Sequence, residues 1–510
     1  MHRLRRMIVV PIILGLALSA GSLPLSHPDD AASGRAPVAS PATASASAAP
    51  VAAPAADGRV ASAIGRRPHR SVARIDGPAT AREGTGSAGS TGAVTAAATR
   101  IVPGSVNRAS VHMSTTYDAA LNLNFGTRAI VVDTILSATN RSGGPVDRIE
   151  LNTIAARLGG LRLGSVSVDG RAAIATVHDQ TIVLWLGGVL PDGATVKARV
   201  IYRATLRSSL GGSNWLFTQT NGIAGLYRWL PWVSLDVPFD RPNHGDPFVT
   251  SVSPRVTVRI TTDRPLVFAT TGDRIAVSGL TQTFEARNVR DFTVTGAPDF
   301  RTSSRVVGGT TVRVWYRPGF PASTALDQAA RAIERMGALL GPYPYLHFKV
   351  VQSAGGYGME SPGLIWIPTG VASSNLPYLV YHETAHQWFY GIVGGNQAYE
   401  PFTDEAAADF LARDLLGSRR SSRCGTGRLD LSIYQYSSSC YYEVVYIQGG
   451  NFLNEIRSTM GATAFWRGMR AWMTSRRFAL VPTKSLLDTL DAHTPINLVP
   501  RYEPRFPRLY

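Results

Sequence analysis

The feature that most constrains the fold of this chain is a pair of histidines four residues apart, in His382-Glu383-Thr384-Ala385-His386. Positions i and i+4 of an α-helix lie on one face, so a helix here would aim both imidazoles at one point. Glu383 would lie beside that point. The apolar residues from Leu376 to Val393 favour a buried helix around the motif. A core helix with two hydrogen-bonded histidines is the competing interpretation.

A metal ion is the natural occupant of such a point. Catalytic zinc typically takes three protein ligands and keeps a further position for water. Glu405 is the candidate third ligand, with eighteen residues between it and His386. We therefore predict one zinc ion per chain, held by His382, His386 and Glu405, with Glu383 activating the attacking water.

Two further acids lie close to the third ligand in the sequence. The stretch Thr403 to Asp409 has a helical pattern, and the preceding loop would let it fold back against the first helix. Asp409, one turn after Glu405, would accept the distal N–H of a ligand histidine and fix its tautomer. An ordinary solvent-facing acid is the alternative for Asp409. Asp404 is a weaker candidate for the same contact.

The spacing of these residues resembles that of the gluzincin aminopeptidases, the family of membrane alanyl aminopeptidase and leukotriene hydrolase. Other segments between about residues 105 and 470 are similar to motifs of that family, in the same order. They are Thr218-Gln219-Thr220-Asn221 ahead of Trp229-Leu230-Pro231-Trp232, Tyr357-Gly358-Met359-Glu360-Ser361 (family motif G-A-M-E-N), His386-Gln387-Trp388-Phe389, and Tyr446-Ile447-Gln448-Gly449-Gly450 (family motif Y-x-K-G-A).

The resemblance implies a role for each matched residue. Tyr446 would donate a hydrogen bond to the oxyanion that develops in the reaction, although Tyr441 and Tyr442 lie close by. A core tyrosine is the alternative. Glu360 would pair with the α-ammonium group of a peptide. This pairing would restrict cleavage to the amino-terminal end of the peptide. The remaining substrate-binding candidates that the family motifs imply are Gly358, Met359, Gln219 and Asn221.

The chain departs from the family pattern in two ways. Asn221 stands where the family usually has Gln or Glu, so it can accept a hydrogen bond but brings no charge; Gln219 would contribute instead. The sequence also ends at Tyr510, without the long helical C-terminal domain of large family members. We expect from this a short form with a more open cleft, which longer peptides could enter.

The first hundred residues are typical of an export signal and a tether. Three arginines among the first seven residues precede an apolar run from Ile8 to Leu18 and the cleavage pattern Ala17-Leu18-Ser19. Residues 1–26 are thus predicted to be a secretory signal peptide, with an uncleaved membrane anchor as the alternative. Residues 27–104 are mostly Ala, Pro, Ser, Thr, Gly and Arg, and are too poor in large apolar residues to fold alone. We expect an extracellular or cell-envelope location.

The rest of the sequence divides into two folded units. Residues 105–318 have short runs rich in Val, Ile, Thr and aromatics between turn residues, which predicts an antiparallel β domain. Residues 319–510 have helical periodicity from Ala325 to Leu340, a strand-like run from Phe348 to Gln352 and further helices. The predicted fold class is a multidomain β + α/β protein, whose second domain is thermolysin-like and mainly helical.

Charge and cysteine content add two expectations. The net charge is +16, but the basic residues form no dense run and no nucleic-acid motif, so we expect no nucleic-acid partner. Cys424 and Cys440 are the only cysteines, in one loop of a chain predicted to be exported. A disulfide is expected there, with two free thiols as the alternative.

The leading hypothesis is an exported zinc metallopeptidase that releases N-terminal residues from peptides with a free amino terminus. An endo- or oligopeptidase using the same zinc ion is the first alternative, favoured if Glu360 does not bind amines. A catalytically inactive cell-surface binding protein is the second, and the intact Glu383 argues against it. The oligomeric state and the preferred first residue of the substrate stay open.

Overall fold

A computed structural model of the chain describes residues 101–239 and 248–510. The predicted signal segment 1–26 lies outside the described residues, and so does the predicted tether 27–104 apart from its last four residues. Val102 pairs with Val189 through two main-chain hydrogen bonds of 2.9 and 2.8 Å, so packed structure begins slightly earlier than predicted. Within the described ranges, no helix is long and apolar enough to cross a membrane.

The strands fall in two groups along the chain. In order they are β1 Met113–Leu123, β2 Ala129–Asn140, β3 Val146–Asn152, β4 Arg162–Val168, β5 Arg171–Ala172, β6 Ala175–His178, β7 Thr181–Leu190, β8 Thr195–Thr205, β9 Phe217–Thr220, β10 Ile223–Leu226, β11 Trp232–Val233, β12 Val256–Thr262, β13 Val267–Thr270, β14 Asp273–Ser278, β15 Thr281–Ala286, β16 Val294–Ala297, β17 Arg301–Val307, β18 Thr310–Tyr316, β19 His347–Ser353, β20 Met359–Ser361 and β21 Leu364–Pro368.

Strands β1 to β16 form the β domain, in which an eight-stranded sheet is the largest element. Buried and more exposed residues alternate along its strands, most regularly in β1 and β8, as expected for a sheet with one face on the core. Neighbouring strands are antiparallel except for β1 and β12, which are parallel. Two four-stranded sheets complete the domain. The β-rich N-terminal domain agrees with the prediction.

The second domain is mainly helical but contains a mixed five-stranded sheet in the order β17-β18-β19-β21-β20. Because β17 and β18 belong to this sheet, the second domain begins at about Arg301, ahead of the boundary predicted at residue 318. A short α-helix, α1 Ile154–Leu158, lies in the β domain. The α-helices of the second domain are α2 Ala322–Leu340, α3 Leu376–Ala385, α4 Ala407–Leu416, α5 Gly449–Met460, α6 Ala462–Ser475, α7 Thr483–Asp491 and α8 Val499–Tyr502.

Helix α3 carries the histidine pair and is shorter than the sequence predicts. The apolar run continues to Val393, but the helix ends at Ala385 and His386 is its C-cap. A tight turn follows, in which the N–H of Gly391 donates to the carbonyl of His386 over 2.8 Å. Tyr390 adopts a φ of 129°, a value that few non-glycine residues adopt. The turn releases the chain from the helix direction and lets the next segment return toward α3.

A loop from Gly417 to Cys440 is fastened to the segment that carries Tyr446. A disulfide joins Cys424 to Cys440. Arg420 and Arg423 both donate to the carboxylate of the buried Glu443, at 2.7 Å each. The side chain of Gln448 donates to the carbonyls of Cys424 and Gly425, at 3.2 and 2.8 Å. The loop and the Tyr446 segment therefore form one packed unit.

We expect the disulfide to contribute measurably to stability, because its sequence separation is 16 residues. Closing a loop of that size stabilises a folded protein by about 3 kcal/mol in the chain-entropy description. The Cys424→Ser/Cys440→Ser variant should therefore lose about 3 kcal/mol of unfolding free energy in urea denaturation. The wild-type protein under a reducing agent is the control and should unfold like the variant. Equal stability of variant and oxidised wild type would contradict the expectation.

Candidate metal centre

Helix α3 and the segment before α4 bring three ligand atoms together in the interior. The Nε2 atoms of His382 and His386 are 3.3 Å apart. Glu405 Oε2 lies 3.3 Å from His382 Nε2 and 3.6 Å from His386 Nε2. All three side chains are buried. The three predicted ligands thus form one compact triangle of metal-binding atoms.

The spacing of the triangle fits a tetrahedral zinc ion. Zinc bonds of about 2.0–2.1 Å in tetrahedral geometry require ligand atoms about 3.4 Å apart, which matches the three separations. Two imidazoles and one carboxylate are also a donor set that catalytic zinc accepts. Glu405 Oε2 is buried, and no described residue donates a hydrogen bond to it. A cation between the three atoms would compensate that oxygen.

The charges within the triangle stabilise an ionised Glu405 carboxylate and a positive charge beside it. Burial opposes ionisation of Glu405, but the close contacts of its carboxylate with the imidazoles of His382 and His386 outweigh it and hold its pKa below the usual range. Burial also opposes protonation of His386, yet the nearby carboxylates, Asp404 foremost, raise its pKa well above the ordinary value. A divalent cation would take over the charge that a proton on His386 supplies.

The acid that orients a ligand histidine is Asp404, and the prediction for Asp409 was wrong. His386 Nδ1 lies 2.7 Å from Asp404 Oδ1, a distance suited to an N–H donated to the carboxylate. Asp409 instead accepts from the hydroxyl of Tyr378 over 2.6 Å and from Arg413 over 2.9 and 3.0 Å. It is therefore part of a neighbouring ion pair.

A π-helical turn accounts for the contact of Asp404, rather than Asp409, with His386. Residues Phe402–Ala406 form a π-helical turn ahead of α4. A π turn has more residues than an α turn, so it changes which side chains share a face. Asp404 then faces His386 while Glu405 faces the metal position. A second π-helical segment, Glu443–Gln448, carries Tyr446; the sequence placed this tyrosine before a helix start, whereas it lies within a helical stretch.

Tyr446 lies against the predicted metal ligands. Its ring stacks on that of His382, with centroids 5.5 Å apart and an interplanar angle of 18°. Burial raises the pKa of Tyr446 well above its ordinary value, and the carboxylate of Glu405 adds to this effect. The phenol therefore stays protonated and able to donate. Tyr442 packs on Tyr446 at 4.8 Å, and Tyr441 approaches its edge at 5.9 Å.

Strand β20 brings Glu360 to the same centre. Carboxylate oxygens of Glu360 and Glu383 lie within 4.8 Å of each other and of a ring nitrogen of His386. All three side chains are buried, and Met359 is buried beside Glu360. Two carboxylates this close favour a positively charged partner between or beside them.

Gly358 is required by this close approach. A Cβ atom at Gly358 would lie 2.2 Å from Glu383 Oε1 and 2.7 Å from Leu379 Cδ1. Both distances are below any that real Cβ atoms show. The glycine therefore leaves the space that the carboxylate of Glu383 occupies, which is a more specific role than the general substrate contact predicted for it.

The position of β20 is set at Ser361, where the family motif has Asn. The Ser361 hydroxyl donates to the buried Asp291, which also accepts from the hydroxyl of Tyr390. Burial raises the pKa of Asp291. The amide of Gln387, on the turn after α3, donates to the Ser361 carbonyl over 3.0 Å. Asp291 of the β domain and the turn after the histidine helix thus hold the strand that carries Glu360.

Asn221 has a structural role at a hairpin turn. With Gly222 it forms the two-residue connection between β9 and β10, with φ values of 52° and 73°. Asn-Gly is the preferred pair for this turn, because both positions need positive φ. Its side-chain amide donates to the Ala354 carbonyl over 3.0 Å. Gln219 lies in β9 and bonds through its main chain to Arg207.

Three residues of the centre were missed in the sequence. Gln397 donates to Asp404 over 2.6 Å and contacts Glu360. Tyr378 stacks on His382 at 5.6 Å. Asp291 supports Ser361 from the β domain. The position of Tyr378, one helical turn before His382, was a signal that could have identified it; Gln397 and Asp291 lie in loops and match no motif.

Comparisons with known proteins agree with this architecture at the level of the fold. Neither protein-family models nor curated proteins match the chain. Among solved structures, an M1 zinc metallopeptidase from Deinococcus radiodurans is similar, with a TM-score of 0.57 and 21% identity over 74% of this chain and 90% of that chain. A mutant bound to a Tyr-Ser-Ala substrate, from the same organism, has a TM-score of 0.60, 20% identity and coverages of 76% and 92%.

A further similar structure is a two-domain M1 zinc metallopeptidase mutant bound to L-arginine. Its TM-score is 0.59 and its identity 19%, over 77% of this chain and 93% of that chain. At such identities the likeness shows the fold. The described part of the chain, a β-rich domain followed by a helical domain, has the fold of M1 zinc metallopeptidases.

The assignment of Asp404 can be tested against Asp409 as a matched pair. Asp404→Asn removes the charge that orients His386, so zinc affinity should fall about 10- to 100-fold. Asp409→Asn should leave zinc affinity within about threefold, because its partners are Tyr378 and Arg413; it should lower the melting temperature instead, since Arg413 loses its ion pair. Chelator competition and thermal unfolding measure the two effects. The reverse pattern would overturn the assignment.

The space at Gly358 can be tested with alanine. Gly358→Ala should displace the carboxylate of Glu383, so peptidase activity should fall at least about tenfold. Gly337→Ala is the matched control, because its Cβ would meet no atom within 4 Å. Gly337 lies inside helix α2, where alanine should be neutral or stabilising by about 0.5–1 kcal/mol. Full activity of Gly358→Ala would mean that Glu383 occupies another position.

Proposed function

We propose that this chain is an exported zinc metallopeptidase, and that it releases N-terminal residues from peptides. We further infer that it belongs to the gluzincin aminopeptidases and that its helical domain is thermolysin-like. The fit of the ligand triangle to zinc, the acid beside it and the shared fold support the proposal. The predicted signal segment, residues 1–26, supports a location outside the cytoplasm or in the cell envelope.

The zinc ion would be held by His382, His386 and Glu405, and it would polarise the scissile carbonyl and make a water molecule more acidic. Glu383, which lies beside this position, is placed to accept a proton from the attacking water and to return it to the leaving amine. Tyr446 keeps its proton and donates a hydrogen bond to the oxygen on which negative charge develops.

The observation that carries the aminopeptidase assignment is the buried Glu360 beside Glu383 and His386. Its oxygen lies within 4.8 Å of ligand or catalytic atoms of both residues. A peptide whose first carbonyl reaches the metal position would place its α-ammonium group near Glu360. The pair is a charge-assisted hydrogen bond in a buried site, which is among the stronger polar contacts. The enzyme would thereby select free amino termini.

An endo- or oligopeptidase is the second candidate, and the position of Asn221 favours it. The side-chain amide of Asn221 is engaged by the Ala354 carbonyl, and the residue brings no second negative charge for an ammonium group. Amine recognition by Glu360 alone is weaker than recognition by two acids. Internal peptide bonds would then compete as substrates.

Matched free and N-acetylated tripeptides distinguish the two candidates. Purified protein with zinc should release the first residue of the free peptide, and kcat/KM for the acetylated peptide should be about 10- to 100-fold lower, because a hydrogen bond to a charged group is lost. Mass spectrometry identifies the products. Glu383→Gln is the control for hydrolysis at this centre and should be inactive toward both peptides.

The relative cleavage of the two peptides distinguishes an aminopeptidase from an endopeptidase. Equal cleavage of the free and acetylated peptides would sink the aminopeptidase assignment and support the endopeptidase. Glu360→Gln should raise KM for the free peptide and leave the acetylated peptide nearly unaffected. Absence of cleavage with zinc bound would favour a binding protein of the same fold.

A further inference from the structure

Gln397 occupies a position between the metal centre and the carboxylate that faces the substrate amine. It lies in the connection between α3 and the π turn, and it is only 3% exposed. Its side-chain nitrogen donates to Asp404 Oδ2 over 2.6 Å and lies 3.5 Å from Glu360 Oε1. Asp404 holds His386 through its other oxygen. One continuous path therefore runs from His386 through Asp404 and Gln397 to Glu360.

The chemistry of the side chain suits this position. Asp404 and Glu360 are both buried carboxylates, and like charges at close range repel in a low-dielectric interior. The amide nitrogen of glutamine has two N–H groups, so it can serve two acceptors at once. A lysine here would neutralise the carboxylates and compete with the substrate ammonium. A glutamate would add to the repulsion.

The two contacts of Gln397 are unequal in length, and this inequality is informative. The short contact fixes the amide on Asp404. The contact of 3.5 Å to Glu360 is at the limit of hydrogen bonding, so it is the weaker of the two.

We propose that Gln397 is a positioning residue that holds Glu360 for the substrate amino terminus and holds Asp404 against His386. The proposal rests on the aminopeptidase function proposed above. It adds that amine recognition and metal binding share a support, so that loss of one side chain weakens both. Gln397 acts through Glu360 and Asp404, the two acids that its amide contacts.

The test is Gln397→Met, which keeps the length of the side chain and removes both donors. KM for the free tripeptide should rise about tenfold while kcat changes less, because the loss affects binding of the amine. The ratio of kcat/KM between free and acetylated peptides should fall toward one. Zinc affinity by chelator competition should fall about tenfold, the lower end for loss of a supporting group. Gln282→Met is the matched control, an amide in the β domain that donates to the Leu266 carbonyl.

Two results would overturn the proposal. One is a folded Gln397→Met protein with wild-type zinc affinity and an unchanged ratio for the two peptides. The other is an equal decline on both peptides with normal zinc affinity, which would indicate a packing role only. Gln397→Asn retains an amide but shortens it by one methylene; if the Met variant does not fold, it should show the same two losses in smaller measure. A wild-type enzyme without preference for the free peptide would refute the aminopeptidase function itself, whatever the variants do.

Discussion

The arrangement of this structure depends on bringing one carboxylate, from a segment eighteen residues away, onto the histidine face of a buried helix. The helix ends at His386 itself, and the turn that follows redirects the chain. The π turn from Phe402 to Ala406 then aims Glu405 and Asp404 at different partners. Each departure from regular α-helix geometry occurs where a side chain must face the centre, which is where such distortions concentrate in proteins.

The centre contains an unusual density of buried acid. Glu360, Glu383, Asp404, Glu405 and Asp409 are each at most 8% exposed, and removing a carboxylate from water is costly unless a partner compensates it. Arg413 compensates Asp409, and an imidazole compensates Asp404. A divalent cation would compensate Glu405, and the proposed function assigns a substrate ammonium group to Glu360. This distribution of buried charge is consistent with the metal ion and the substrate amino terminus of the proposed function.

The histidine pair and its helix could be predicted because their spacing follows directly from helix geometry. Glu405 followed from a resemblance in spacing, and the β-rich character of the first domain followed from its Val-, Ile- and Thr-rich runs and turn residues. Asp404, the partner of His386, was only the weaker candidate in the sequence, because an α-helical count from Glu405 points to Asp409, whereas the structure has a π turn at this position. The role of Gln397 was not predicted from the sequence either. Its role arises from loop packing, and a single buried glutamine in a loop has no recognisable pattern.

The departure from the family motif at Asn221 has a structural explanation. Asn221 suits a two-residue hairpin turn, which requires positive φ, so its identity need not reflect amine binding. In the proposed aminopeptidase, recognition of the amino terminus would then fall to Glu360 alone. A single carboxylate must be oriented accurately to discriminate between substrates, because a misplacement of about 1 Å can cost about 100-fold in rate. The hydrogen bonds of Ser361 with Asp291 and Gln387, together with the amide of Gln397, would supply that orientation. In the proposed aminopeptidase this supporting network would then matter to specificity as much as the acid it holds.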